Sequence, residues 1–227
     1  MATIGHYEKL RALCGSSRLL VTGGTRAGAA SQVVIFDHVA NKVRHTLALP
    51  THVLGLGLQG DTLLCAGADG TLRLYETDGG KELRQIAAHT GACAAVVAGG
   101  PDRIYTAGAD GQVRRWDVHG KALGAWTVST QPLRALAVDP TGEYVAAAGD
   151  DGVVHVLTPG REGPPRDMPG HEGPVQALAF TPRDGRLVSG GDDGTLRIWY
   201  LVGAIESETR TTEGQAAAVR ALLFPPT

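Results

Sequence analysis

Four stretches of this chain, LLCAGADGTLRLY, IYTAGADGQVRRW, VAAAGDDGVVHVL and LVSGGDDGTLRIW, align without a gap. Their turn aspartates, Asp69, Asp110, Asp151 and Asp193, stand 41, 41 and 42 residues apart. A fixed period of this length means stacked supersecondary units, each unable to bury its own apolar face alone. A weaker first copy, LLVTGG followed by QVVIF, ends at Phe36, 39 residues before Tyr75, and carries the insertion TRAGAAS in its turn.

Each copy reads as short strands. A run such as RLVSG meets Asp-Gly, a hairpin pair whose two positions both tolerate positive φ, and TLRIW returns antiparallel. Upstream lies a further apolar run, LRALAV or VQALAF, and downstream a more polar one such as KELRQIA. Four strands in about 41 residues leave no room for an ordinary helix, so the fold class is all-β, with four-stranded antiparallel sheets stacked radially.

With these motifs in hand, nearly the whole chain resembles the WD-repeat β-propellers. Trp116-Asp117 is the Trp-Asp pair, with Phe36-Asp37, Tyr75-Glu76 and Trp199-Tyr200 as degenerate versions. Gly5-His6 and Gly170-His171 are the Gly-His pair, with Ala88-His89 as a variant. The resemblance implies blades at approximately 7–49, 52–87, 92–127, 132–169 and 174–210, and a sixth-blade inner strand at 217–224, within one domain spanning 1–227. It also implies a hydrogen-bonded tetrad in two blades: His89, Thr106, Asp110 and Trp116, and again His171, Ser189, Asp193 and Trp199. In the other blades, Cys65, Asp69 and Tyr75 lack a clearly placed His, and Ala147, Asp151 and Leu157 keep only the Asp. Those blades are expected to be held mainly by packing.

A Ser, His and Asp together invite a hydrolase reading. The trio recurs in register with the period, and a single active site has no reason to be duplicated that way, so the reading is structural. No catalytic residue, cofactor site or metal site is assigned. His38, His45, His52, His119 and His155 show no ligand spacing, and Cys14, Cys65 and Cys93 form no C-x-x-C pair. GLGLQG at 55–60 has dinucleotide-turn spacing but runs into TLLCAG, another strand, instead of opening a helix. Gly55 and Gly57 align with Ala177 and Ala179, as small residues at a narrow or flexible place in an inner strand.

Aligning the inner strands puts Arg11, Leu54, Ala94, Arg134, Gln176 and Arg220 at one position. The resemblance places it at a bulge by the channel mouth, and Arg11, Arg134, Gln176 and Arg220 are the candidate partner-binding residues. Three arginines there favour an acidic peptide or an anion, whereas Asp150 and Asp192 on the same face offer pairing within the chain. A formal net charge of −2 gives no general attraction to nucleic acid or an anionic membrane, and the expected location is cytoplasmic.

The last residues, AVRALLFPPT, read as an inner strand with no hairpin after it, which predicts an open or incomplete ring completed by further sequence or a second chain. The expected function is a noncatalytic scaffold holding a protein or peptide on the loop face around the central channel. The alternative is a regulatory or sensor portion of a larger multidomain enzyme.

Overall fold

The computed structural model describes residues 9–25, 31–161, 163–201, 210–212 and 219. Its twenty strands form five four-stranded sheets, each a meander whose spatial order follows the chain. The first sheet holds β1 (Lys9–Gly15), β2 (Leu19–Thr25), β3 (Ser31–Asp37) and β4 (Lys42–Leu49). The second holds β5 (Val53–Gln59), β6 (Thr62–Gly67), β7 (Thr71–Glu76) and β8 (Glu82–Ala87). The third holds β9 (Cys93–Ala98), β10 (Ile104–Gly108), β11 (Gln112–Trp116) and β12 (Ala122–Thr127). The fourth holds β13 (Leu133–Val138), β14 (Val145–Gly149), β15 (Val153–Leu157) and β16 (Arg166–Pro169). The fifth holds β17 (Val175–Phe180), β18 (Leu187–Gly191), β19 (Leu196–Trp199) and β20 (Arg210–Thr212).

The chain divides into two compact units, Met1–Ala109 with Arg114–Ala125, and Asp110–Val113 with Trp126–Thr227. In the first, the second sheet buries both faces, and its sequence shows why. Along β6, Leu63 and Cys65 join Val21, Ile35 and Leu49 of the first sheet in one cluster. The alternate residues Leu64 and Ala66 join Cys93, Ile104 and Trp116 of the third in another. Side chains alternate across a strand, so a strand covered on both sides needs the continuous apolar run that LLCAG supplies. The outer strands β8 and β12 are mostly exposed and correspondingly polar. In the second unit, Ala146 and Val156 of the fourth sheet pack with Val175, Leu187 and the fully buried Trp199 of the fifth. Burying one such large apolar side chain contributes about 1.5–3 kcal/mol.

The Asp-Gly turns differ from expectation in one respect. Gly70, Gly111, Gly152 and Gly194 have φ of 81°, 69°, 72° and 72°, but the preceding aspartates do not have positive φ. The Gly70 amide donates to Gly67 O at 3.1 Å, closing a four-residue turn whose last residue is left-handed. The aspartate is therefore needed for its carboxylate, which accepts the amide two residues on: Thr71 at 3.1 Å, Gln112 at 3.2 Å, Val153 at 3.1 Å and Thr195 at 3.0 Å. The glycine is needed for space as well as for φ. A Cβ on Gly70 would collide with the His89 and Gly91 carbonyl oxygens, and Gly70 O accepts the Ala88 and His89 amides at 3.0 Å. The Gly111 turn does the same, its carbonyl oxygen accepting the Val128 and Ser129 amides at 3.0 and 3.2 Å, so each of these two turns docks the loop leading to the following copy.

GLGLQG lies on β5 and ends at Gly60, a turn residue with φ of 56°. The sixth-copy strand expected at 217–224 lies outside the described residues except for Val219, whose amide donates to Gly191 O at 3.1 Å.

Candidate binding surface

The aligned inner-strand position is a bulge in all five sheets. The β1–β2 register shifts between Leu10 and Ala12, which leaves Arg11 as the extra residue. The same shift leaves out Leu54, Ala94, Arg134 and Gln176. A bulge re-aims a side chain at a sheet end, and here it recurs beside the hairpin turn. Arg220 lies outside the described residues.

Two bulge residues engage the acid that precedes the turn aspartate. Arg134 Nη2 donates to Asp150 Oδ2 at 3.0 Å, and its Nε donates to Oδ1 of the same carboxylate. Gln176 Nε2 donates to Asp192 Oδ2 at 2.8 Å. Where the bulge residue is Leu54 or Ala94, the position before the turn aspartate is Ala68 or Ala109. The two positions thus change together from copy to copy, polar with Asp and apolar with Ala. The described candidates of the second unit, Arg134 and Gln176, are accordingly paired at home, while Arg11 is exposed.

The tetrads are built as hydrogen-bond chains. Trp199 Nε1 donates to Ser189 Oγ at 2.8 Å, Ser189 Oγ lies 2.7 Å from His171 Nε2, and His171 Nδ1 lies 2.9 Å from Asp193 Oδ2. Burial holds the His171 pKa below its usual value, against the pull of Asp193. A neutral ring satisfies every partner: its Nδ1–H donates to the carboxylate, and its Nε2 accepts the serine hydroxyl. Ser189 is fully buried and already occupied by the indole, so no substrate can reach it. In the third sheet, His89 Nε2 lies 2.8 Å from Thr106 Oγ1, and Trp116 Nε1 donates to the same oxygen at 3.0 Å.

The degraded copies carry polar contacts at the hairpin aspartate besides the packing expected of them. In the second sheet, Arg73, four residues after Asp69, places Nη2 2.8 Å from Asp69 Oδ2. Burial would raise the Asp69 pKa, but bonds from Arg73 and Thr71 overcome it and bring it down to about 2. In the fourth sheet, His155, four residues after Asp151, places Nε2 2.9 Å from Asp151 Oδ2 and Nδ1 2.7 Å from Asp167 Oδ1. Ser129 Oγ donates to Asp151 at 2.6 Å. The two carboxylates sit on opposite edges of the ring and do not converge as metal ligands would. Arg114 and Arg197 hold the same offset in the copies with tetrads. That recurrence was the available signal, and without burial it reads as surface decoration.

The family description "WD domain, G-beta repeat" matches residues 120–156 and 163–200. Each match runs from an outer strand through three strands of the next sheet, so the sequence repeat straddles the structural one. The chain is 28% identical over 203 residues to "Protein groucho" of Drosophila melanogaster, covering 86% of this chain and 27% of that protein. It is 31% identical over 148 residues to "Periodic tryptophan protein 2 homolog" of Dictyostelium discoideum, covering 63% and 16%. It is 27% identical over 173 residues to "Telomerase protein component 1" of Mus musculus, covering 72% and 6%. The chain thus spans under a third of the length of each of these relatives. Matched repeats, their common period and five four-stranded antiparallel sheets lead to one conclusion: the chain carries repeats of the WD domain, G-beta repeat family, on all-β sheets consistent with the blades of a WD β-propeller.

Proposed function

We propose that this chain is a noncatalytic scaffold that holds a protein or peptide partner at the sheet ends bearing the bulges and hairpin turns. One observation carries the reading: five bulges recur on a constant frame while the residues seated on them change, Arg11, Leu54, Ala94, Arg134 and Gln176. A constant frame with variable tips is how a rigid scaffold acquires specificity.

The acidic character proposed for the partner rests on Arg11, since Arg134 is held by Asp150. A peptide array probed with the purified chain tests both levels. Retention of acidic peptides that falls with Arg11→Glu supports the reading. Retention that is unchanged by Arg11→Glu and by Gln176→Glu removes this end of the sheets as the binding surface.

A further inference from the structure

At the opposite strand ends of the first unit, a depression of about 340 Å³ is lined by Arg18, Lys42, Arg44, His45 and Asp78, with Ala40 and Val43. Below it lies Asp37, whose side chain is 0% exposed. Asp37 Oδ2 accepts Arg18 Nε at 3.0 Å, and Arg44 Nε and Nη2 at 3.1 and 2.9 Å. Oδ1 accepts the Val39 and Ala40 amides at 3.1 and 2.8 Å. One buried carboxylate therefore fixes two guanidiniums side by side. These bonds leave the Arg18 Nη groups and the Lys42 ammonium without a protein acceptor among the described residues. Arg44 Nη1 takes the exposed Asp78 carboxylate, and His45 Nε2 engages the Asp78 carbonyl oxygen.

This arrangement is not repeat grammar. Register places Asp61, Asp102 and Glu143 at the position of Arg18 in the next three copies, acids where the first copy has a cation. Arg44 is the extra residue of a β3–β4 bulge, and the matching bulge of the second sheet carries Leu83. Features that recur with the period build the fold, and among the described residues this one occurs once. Arg44 already holds an oxyanion at the rim, Asp78. A guanidinium fork beside an ammonium matches the several oxygens of a phosphate better than it matches one carboxylate. The volume exceeds that of bare phosphate and leaves room for an attached organic group against Ala40 and Val43.

We propose that this depression is an anion site for phosphate and phosphate monoesters, held by Arg18, Lys42 and Arg44, with Asp78 as a displaceable stand-in. The site is independent of the bulge-bearing ends and does not rest on the scaffold reading.

The test is an amide-shift titration of the whole chain with three probes: inorganic phosphate, a short peptide bearing one phosphoserine, and its unphosphorylated twin. Saturable shifts confined to Arg18 and residues 40–45 are expected with the first two. Arg18→Gln or Lys42→Gln should each weaken binding about tenfold, the loss expected for one charge-assisted contact, while Arg84→Gln, the same charge change elsewhere, should not. Asp78→Asn should tighten it. A phosphopeptide that binds more tightly than phosphate names a phosphorylated partner as the source, and equal binding names the free anion. Equal binding of the unphosphorylated twin, no saturation with phosphate, or equal weakening by Arg84→Gln would overturn the site.

Discussion

Arg73 reaches back along its own strand to Asp69, 2.8 Å from guanidinium to carboxylate, and is itself only 5% exposed. In the second sheet this ion pair does what a histidine does in the fifth: it satisfies the hairpin aspartate where that copy has no tetrad. Replacing Arg73 with Met keeps the apolar stem but leaves the carboxylate without its cation. Such a loss costs about 1–3 kcal/mol for a partly buried pair, whereas Arg84→Met, on an exposed outer strand, should fall within about 0.5 kcal/mol of the parent. Urea unfolding of both variants separates them, and equal midpoints would show that packing alone holds this copy.

Ser189 is the hub of the fifth-sheet tetrad, accepting the Trp199 indole and facing His171. Ser189→Ala removes one oxygen and strands two buried groups, so it should cost about 2 kcal/mol or more. Trp199→Phe made in the Ser189→Ala background should cost less than in the parent, since the indole N–H has already lost its acceptor. A double-mutant cycle by thermal or urea unfolding measures that coupling. Strict additivity would mean that the four residues act separately.

How much of this was legible in the sequence follows from where the information lies. The period, the hairpins, the fifth-sheet tetrad and the His89–Thr106–Trp116 part of the third-sheet one were readable because Asp-Gly, Trp and His recur at fixed offsets, and the inner-strand bulges fell at the aligned position. The partners of Asp69 and Asp151 were not readable. Arg73 and His155 stand at an offset that Arg114 and Arg197 also fill in the copies with tetrads, so the offset alone does not say which side chain meets the hairpin aspartate. Asp37 with Arg18 and Arg44 was hidden for another reason. Its partners lie 19 residues before and 7 after, and the second depends on a bulge that no local pattern announces.

Acid should weaken the fold in two stages. His171 is held below its ordinary value of 6.5, so as pH falls below that value the unfolded chain takes up a proton that the folded chain resists, and stability declines. Asp69 and Asp193 are lowered from 3.8 to about 2, Asp193 against burial by the Thr195 and Glu172 amides, the Thr195 hydroxyl and His171. Their contribution is complete above the unfolded value and is lost as pH falls through the folded one, between about 4 and 2. Urea midpoints across pH 7 to 2 should show both declines, with the upper one absent in His171→Gln. A midpoint that rises on acidification through either window would contradict the assigned directions.

Gly55 and Gly57, which give β5 its dinucleotide-like spacing, are separated by their surroundings. A Cβ on Gly55 would lie 3.1 Å from Ala95 Cα, 3.2 Å from Val96 N and 3.3 Å from Ala94 O, all backbone of the neighbouring inner strand β9. On Gly57 its nearest neighbour would be the Leu64 side chain at 3.4 Å, ordinary contact. Gly55 therefore marks the place where two inner strands approach too closely for side chains. Backbone cannot step aside as a rotamer can, so Gly55→Val should cost about 1–3 kcal/mol by overpacking. Gly57→Ala should be neutral or stabilising by about 0.5 kcal/mol, because it restricts the unfolded chain without crowding the folded one. Thermal unfolding of the two variants decides the matter: the first should melt well below the parent and the second at or above it. The reverse order would mean that β5 and β9 lie farther apart than the backbone distances state.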